Sequence, residues 1–264
     1  MAIKIDLIGK TAAISGGAGG MGREVAYKLA KAGANVCVAD INEKALQSVV
    51  KEIETYGVKA DYAVVDVTKA DEVQVFLDKA EKLGDGKLDI MVAVAGICYD
   101  VGPIIDVPEE EIRKLMDINF MGVNHCCQIA GRKMIPHKAG KIVTFSSIAA
   151  RNGSDAFGHY AASKAAVVNL TQGLSRGLAP YHINVNSVAP GEVMTNMTKN
   201  IISQYVEAGY GDEQTVTDML VAGIPFKEFQ QPEEIADAVL FFCSSLSDQI
   251  TGQTLNVSGG EVIS

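Results

Sequence analysis

The chain has 264 residues, and its 23 Lys plus Arg against 32 Asp plus Glu give a formal net charge of −9. That balance suits no polyanionic partner, and with no Trp and only 6% aromatic residues there is no base-stacking platform, so nucleic-acid binding is not expected. No apolar run approaches the roughly 20 residues of a membrane span, and a hydrophobic fraction of 48% is too high for disorder.

Glycine is the outlier, with 26 residues against a usual share of about 7%. The N-terminus from Met1 to Asp6 lacks the apolar stretch of a signal peptide. The five cysteines are odd in number and have no metal-ligand spacing, so they read as buried, reduced thiols in a cytoplasmic protein. No metal is expected.

In chain order, short β-branched runs predict strands at 11–15, 35–39, 62–65, 90–95, 141–146, 184–188 and 254–257. Helical patterns lie between them, near 21–32, 42–57, 69–83, 109–135, 156–179 and 232–246. Pro108-Glu-Glu-Glu111 and Pro232-Glu-Glu234 are helix starts, while Gly33, Gly57 and Gly84 stand where helices stop. Strands apolar throughout are buried on both faces. Joined by helices, they predict an α/β fold: one Rossmann-like, doubly wound domain over 1–264, with about seven parallel strands and helices on both faces. The irregular segment 192–226 follows a strand end, where this architecture places its ligand crevice, and reads as a substrate lid.

The first strand runs into Ser15-Gly-Gly-Ala-Gly-Gly-Met-Gly22 and then a helix. Gly17, Gly19 and Gly22 fit one dinucleotide-binding spacing; Gly16, Gly20 and Gly22 fit another. Glycines admit a pyrophosphate close to the backbone, and the helix N-terminus offers N–H groups and partial positive charge. Gly16, Gly19, Gly20, Met21 and Gly22 are therefore candidate cofactor residues. Asp40 ends the next strand, at the position of a carboxylate that bonds an adenosine ribose, with Ile41 following it. A 2′-phosphate would meet that carboxylate with no compensating cation nearby, so NAD is expected over NADP.

Tyr160-Ala-Ala-Ser-Lys164 puts Tyr and Lys on one helix face, after a strand ending in Ser146-Ser147. At this point the chain resembles the short-chain dehydrogenase/reductase family in its roughly 250-residue form, from Gly9 to Gly260. The resemblance rests on the glycine turn, Asp40, Asp66-Val67, Ala95-Gly96, Asn119 in Met116-Asp-Ile-Asn-Phe-Met-Gly122, Ser147, Tyr160, Lys164 and Pro190-Gly-Glu-Val-Met-Thr195.

The resemblance implies a catalytic set of Asn119, Ser147, Tyr160 and Lys164. Tyr160 would be the general acid/base, Ser147 would hold the substrate oxygen, and Asn119 would anchor a water that links Lys164 to solvent; an Asn bonding backbone in a helix kink is the other reading of that residue. Lys164 would bond the nicotinamide ribose and lower the Tyr160 pKa. A free phenol sits about three units too high for neutral pH, or about 4 kcal/mol. One cation at about 4 Å and an effective dielectric near 20 supplies about 4 kcal/mol, with help from the positive nicotinamide. Further cofactor contacts would come from Asp66, Val67, Ala93, Ala95, Gly96, Pro190, Gly191, Val193 and Thr195. Ala93-Val94 stands where many relatives carry Asn-Asn, so contacts near Ala93 would be backbone contacts.

The expected activity is NAD-dependent interconversion of a secondary alcohol and a ketone. The expected substrate is a small molecule: a polyol, sugar alcohol or small diol. The alternatives are a hydroxysteroid or bile acid, with Met194, Met197, Ile201 and Met219 covering a sterol, and a 3-oxoacyl group. A non-catalytic NAD(H) sensor is the different-class alternative, and the intact Ser147, Tyr160 and Lys164 speak against it. Helices 109–135 and 156–179 carry apolar faces beyond what one sheet needs, and the resemblance implies that they form a four-helix contact between subunits, so a homotetramer, or a homodimer, is expected. Cys98, Tyr99 and the 152–158 segment are candidates for substrate contact; Asp100 and Asp106 read as solvated.

Overall fold

The structure, a computed structural model, describes residues 5–99 and 102–263; Asp100 lies outside them. The strands are β1 (Thr11–Ser15), β2 (Asn35–Asp40), β3 (Ala60–Val64), β4 (Ile90–Ala93), β5 (Gly140–Phe145), β6 (Ile183–Pro190) and β7 (Thr254–Val257). They form one sheet in the order β3-β2-β1-β4-β5-β6-β7, and every pairing is parallel. The helices are α1 (Gly20–Lys31), α2 (Glu43–Glu54), α3 (Ala70–Leu83), α4 (Glu109–Met116), α5 (Val123–Met134), α6 (Gly158–Leu178), α7 (Asn196–Glu207), α8 (Glu213–Ala222) and α9 (Pro232–Cys243).

Residues alternate faces along each strand, so the sheet divides the apolar residues into two cores. Ala12, Ile14, Val36, Val38, Val92 and Val143 pack with Val25 and Leu29 of α1, Leu46 of α2 and Val239 of α9. Ala13, Cys37, Ala39, Met91 and Ala93 pack on the other face with Phe76 of α3, Cys126 of α5 and Val167 of α6. Cys37, Cys126, Cys127 and Cys243 are buried, and burial pushes each thiol upward, so they behave as small apolar side chains. A third, small cluster holds α7 and α8 together through Ile202, Val216, Ile224 and Phe229. It accounts for Met194, which packs into this cluster and not over the site; Met219 is 43% exposed.

Caps fix several helix starts. The Asn42 side chain accepts from Ala45 N at 3.1 Å to begin α2. Gln231 and Glu234 close a capping box around Pro232 at the start of α9. The start of α1 differs: Gly19 offers no side-chain cap, and no acid lies in the first turn. Its N–H groups and partial positive charge therefore remain available to an anion.

Some expected boundaries move. β4 stops at Ala93, short of residue 95, and the expected helix 109–135 is interrupted by a π-turn at Asp117–Gly122. The closing helix ends at Cys243, with a separate 3₁₀ turn at Ser245–Ser247. The π-turn packs against segments distant in the chain. Val67 presses so closely on Gly122 that a Cβ there would stand 2.6 Å from Val67 Cγ2, while the Asn119 side chain bonds inward to the backbone after β4.

Candidate active site

The chain crosses from one half of the sheet to the other between β1 and β4, and the crevice at that crossing holds the candidate site. The glycine turn lies there. Gly16 adopts φ +68°, and a Cβ on it would stand 2.7 Å from Ala95 N; a Cβ on Gly22 would strike Gly16 O. These two glycines are needed for the turn itself. Gly19 differs, with an extended φ of −160° and nothing within 4 Å of a Cβ position, so the space above it is open. Gly20 faces Thr195, whose Cγ2 lies 3.6 Å from its Cβ position.

Asp40 stands beside this turn. Its Oδ2 accepts from Ala18 N at 3.2 Å and its Oδ1 from Asn42 N at 3.1 Å, while Ile41 is 76% exposed. Asp66 follows β3 and accepts from Thr68 Oγ1 at 2.7 Å and Thr68 N at 3.0 Å; these bonds hold its carboxyl below the usual range. Val67 next to it is buried.

A cavity of about 400 Å³ opens at the carboxyl end of the sheet. It brings together Met21, Gly96, Ser147, Tyr160, Lys164, Pro190, Gly191, Val193 and Thr195 of the expected residues. Gly16, Gly19, Gly20, Gly22, Asp40, Ile41, Asp66, Val67, Ala95 and Asn119 do not line it. Nor does Ala93, which is fully buried in β4 between Ser15 and Thr144; Val94 and Gly96 line the cavity instead. Cys98, Asn152, Gly153, Ser154 and Phe157 line it as expected, as do Met197 and Ile201. Tyr99 and His159 pack on each other with ring centres 6.2 Å apart, away from the lining, and Asp106 is exposed. Several lining residues were missed, among them Ile148, Ala149, Thr198, Glu192, Glu261 and Val262. Glu192 lies inside a quoted motif, but only as a spacer; Glu261 and Val262 arrive from the C-terminal end and carry no motif.

A larger cavity of about 730 Å³ lies at the opposite end of the strands, and several of its charges pair with one another. Lys10 meets Asp89 at 3.2 Å and Lys141 meets Asp248 at 2.7 Å. None of the catalytic set lies there.

Within the 400 Å³ cavity, Lys164 is 4% exposed. Its Nζ donates to Phe145 O at 3.0 Å and lies 5.6 Å from the centre of the Tyr160 ring. Burial lowers the Lys164 pKa to about 8, partly offset by the Cys98 thiol. Burial raises the Tyr160 pKa; Cys98 and Glu192 add to the rise, and a hydrogen bond with Ser147 opposes it. Burial outweighs the Ser147 bond, so the ligand-free site holds the phenol protonated. Ser147 Oγ accepts from Ala149 N at 3.2 Å, which fixes the hydroxyl against the cavity.

Asn119 is fully buried in the π-turn. Its Oδ1 accepts from Ile97 N at 2.8 Å; its Nδ2 donates to Ile97 O at 2.9 Å and to Ser163 Oγ at 3.1 Å. It braces the segment after β4 against α6. Gly96 sits between this brace and Lys164, because a Cβ there would lie 3.2 Å from Asn119 Oδ1 and 3.3 Å from Lys164 Nζ.

Fold and site together define a dinucleotide-type oxidoreductase, and the comparisons agree. The family model described as "Enoyl-(Acyl carrier protein) reductase" matches residues 16–261. The 7alpha-hydroxysteroid dehydrogenase of Escherichia coli (strain K12) is 36% identical over 258 residues, covering 97% of this chain and 95% of the relative. An NAD+-bound xylitol dehydrogenase superposes with a TM-score of 0.92 at 28% identity, over 96% of this chain and 99% of that one. An actinorhodin polyketide ketoreductase solved with NADPH superposes with a TM-score of 0.91 at 28% identity, over 99% of both chains. The chain belongs to the short-chain dehydrogenase/reductase family and is an oxidoreductase.

The residues present fit a dinucleotide of the kind bound in those two solved structures. The open face above Gly19 and the uncapped start of α1 form a cradle for a pyrophosphate. Among the described residues, no helix is long and apolar enough to cross a membrane.

Proposed function

We propose that this protein is an NAD-dependent oxidoreductase that interconverts a secondary alcohol and a ketone, with a polyol, sugar alcohol or small diol as substrate. The observation that carries the reading is the convergence of Ser147, Tyr160 and Lys164 on one cavity with Gly96 and Met21, beside the open glycine turn.

Gly16, Gly19, Gly20, Met21 and Gly22 would hold the pyrophosphate. Asp40 and Ile41 would face the adenosine ribose, and Asp66 and Val67 the adenine. Ala95, Gly96, Tyr160, Lys164, Pro190, Gly191, Val193 and Thr195 would hold the nicotinamide half, with Val94 in the place expected of Ala93. When bound, the dinucleotide accepts or supplies the hydride at the substrate carbon. Asp40 supports NAD over NADP because its carboxylate, fixed by Ala18 N, would repel a 2′-phosphate.

In reduction, Tyr160 gives its phenolic proton to the substrate carbonyl oxygen while the Ser147 hydroxyl donates a hydrogen bond to the same oxygen. The burial that keeps Tyr160 protonated suits it to this role. In oxidation Tyr160 takes the proton back, and the cation of Lys164 lowers the cost of the phenolate. Asn119 supports this indirectly, as the brace behind Gly96 and Lys164 and as the anchor for a water that returns protons to Lys164. Segment 192–226 acts as a lid through Met197 and Ile201, which line the cavity. The same apolar pair, with the Escherichia coli relative, supports a hydroxysteroid as the second reading. The working form is proposed to be a cytoplasmic homotetramer.

An absorbance screen for NADH formation over polyols, diols, hydroxy acids and hydroxysteroids tests the reading. Oxidation of a polyol or diol is expected. Turnover of hydroxysteroids alone would move the assignment to the second reading.

A further inference from the structure

The cavity has an acidic wall that the catalytic steps do not use. Glu192 follows the end of β6, held where Gln230 N donates to Glu192 O at 3.0 Å. Glu261 reaches the same cavity from the end of β7. Gly259 and Gly260, at φ +59° and +88°, turn the chain back, and Asn256 Nδ2 ties the returning segment through Val262 O at 3.2 Å. Both side chains line the cavity with Tyr160 and Lys164.

We propose that Glu192 and Glu261 select secondary alcohols that carry a protonated amine next to the carbinol carbon, and that they disfavour alcohols carrying a carboxylate or phosphate. The inference rests on reading the cavity as the site of alcohol oxidation.

Three observations support it. The Glu261 Oε2 atom is buried with no hydrogen-bond partner among the described residues. Behind it, Gln230 is 6% exposed and its Oε1 is likewise buried without a partner, 2.8 Å from the Cβ position of the cavity-lining Gly191. These two acceptors therefore lack a donor, and buried acceptors are costly until one arrives. Lys164 is the one Lys or Arg that lines the cavity among the described residues, and its Nζ is already bonded to Phe145 O.

The charges point the same way. Burial raises the carboxyls of Glu192 and Glu261, and the charge of Glu192 pushes both Glu261 and Tyr160 further up. A substrate ammonium between the two carboxylates would supply the missing donors. It would also cancel the repulsion that opposes a phenolate at Tyr160. A neutral polyol brings donors but leaves that repulsion in place, and a substrate anion adds to it.

The test uses the full chain at neutral pH and a matched set of alcohols that differ in one terminal group: 1-amino-2-propanol, 1,2-propanediol and lactate. The kcat/KM for the amino alcohol is expected to exceed that for the diol by about tenfold or more, with lactate lowest. In Glu192→Gln the amine-to-diol ratio should fall about tenfold, and in Glu261→Gln it should fall as well. A ratio within one variant does not depend on how much of the variant is folded. Equal or better use of the diol by wild type, or a ratio unchanged in both variants, overturns the inference and leaves the alcohol-oxidoreductase reading standing. No turnover of any alcohol or ketone with either dinucleotide overturns that reading and this inference with it.

Discussion

Lys164 reaches Tyr160 across one turn of α6, with its Nζ 5.6 Å from the centre of the phenol ring, and it donates a 3.0 Å hydrogen bond to Phe145 O at the end of β5. The strand end thus aims the ammonium at the phenol. The geometry separates what Lys164 does for activity from what it costs the fold.

That cost gives a pH prediction for the ligand-free protein. The folded pKa of Lys164 is lowered to about 8 from 10.5, so folding favours its neutral form. The native state binds fewer protons than the unfolded chain between those values. The penalty is therefore fully present below about pH 8 and is relieved as pH rises toward the unfolded value. It amounts to about 3 kcal/mol. Lys164→Met should abolish turnover and still melt no lower than wild type at pH 7. Its advantage should shrink in melts at higher pH. A variant that melts well below wild type at neutral pH would show that the buried cation is not a burden.

Gly19 separates binding from folding. An extended φ and open space mean that Gly19→Ala should leave the melting temperature nearly unchanged. The added methyl would occupy the cradle, and NADH affinity in a fluorescence titration should fall about tenfold or more. Gly16→Ala should destabilise the fold itself, because its Cβ would meet Ala95 N at 2.7 Å on a φ of +68°. Undiminished NADH binding by Gly19→Ala would remove the pyrophosphate from this turn.

Asp40→Ala should lower the ratio of NADH to NADPH efficiency by about tenfold or more. Asp40→Asn keeps an acceptor for Ala18 N and Asn42 N and so controls for loop structure. A wild-type enzyme that uses NADPH better than NADH would contradict the cofactor assignment.

Much of this was legible in the sequence because the signals are local. Apolar strands, the glycine turn and the Tyr160–Lys164 spacing depend on neighbouring residues, and the structure keeps them nearly in register with expectation. What was not legible depends on contacts between distant segments. The helix through 109–135 reads as continuous because nothing in its own pattern shows Val67 pressing on Gly122. Asn119 reads as a water anchor by resemblance or as an Asn bonding backbone in a helix kink; the structure shows the second arrangement, with its amide bonded to Ile97 and Ser163, partners that the sequence does not name. Glu192 and Glu261 are far apart along the chain, and only the β6–β7 pairing and the turn at Gly259–Gly260 bring them to one wall.

The brace role of Asn119 carries its own prediction. Asn119→Ala strands the Ile97 N–H and carbonyl in a part-buried position, at about 1–3 kcal/mol for each unsatisfied group. The variant should lose that order of stability in urea melts and lose activity through displacement of Gly96. A variant as stable as wild type would leave the water relay as the main role of Asn119.

Proton transfer by Tyr160 is the central claim, and Tyr160→Phe tests it most directly. Turnover of the best alcohol found in the screen and NADH binding should be measured on the same preparation. Turnover should fall by roughly a hundred- to ten-thousand-fold, the usual share of a positioned acid/base, while the NADH dissociation constant changes little. Turnover close to wild type, with NADH still bound, would contradict the account.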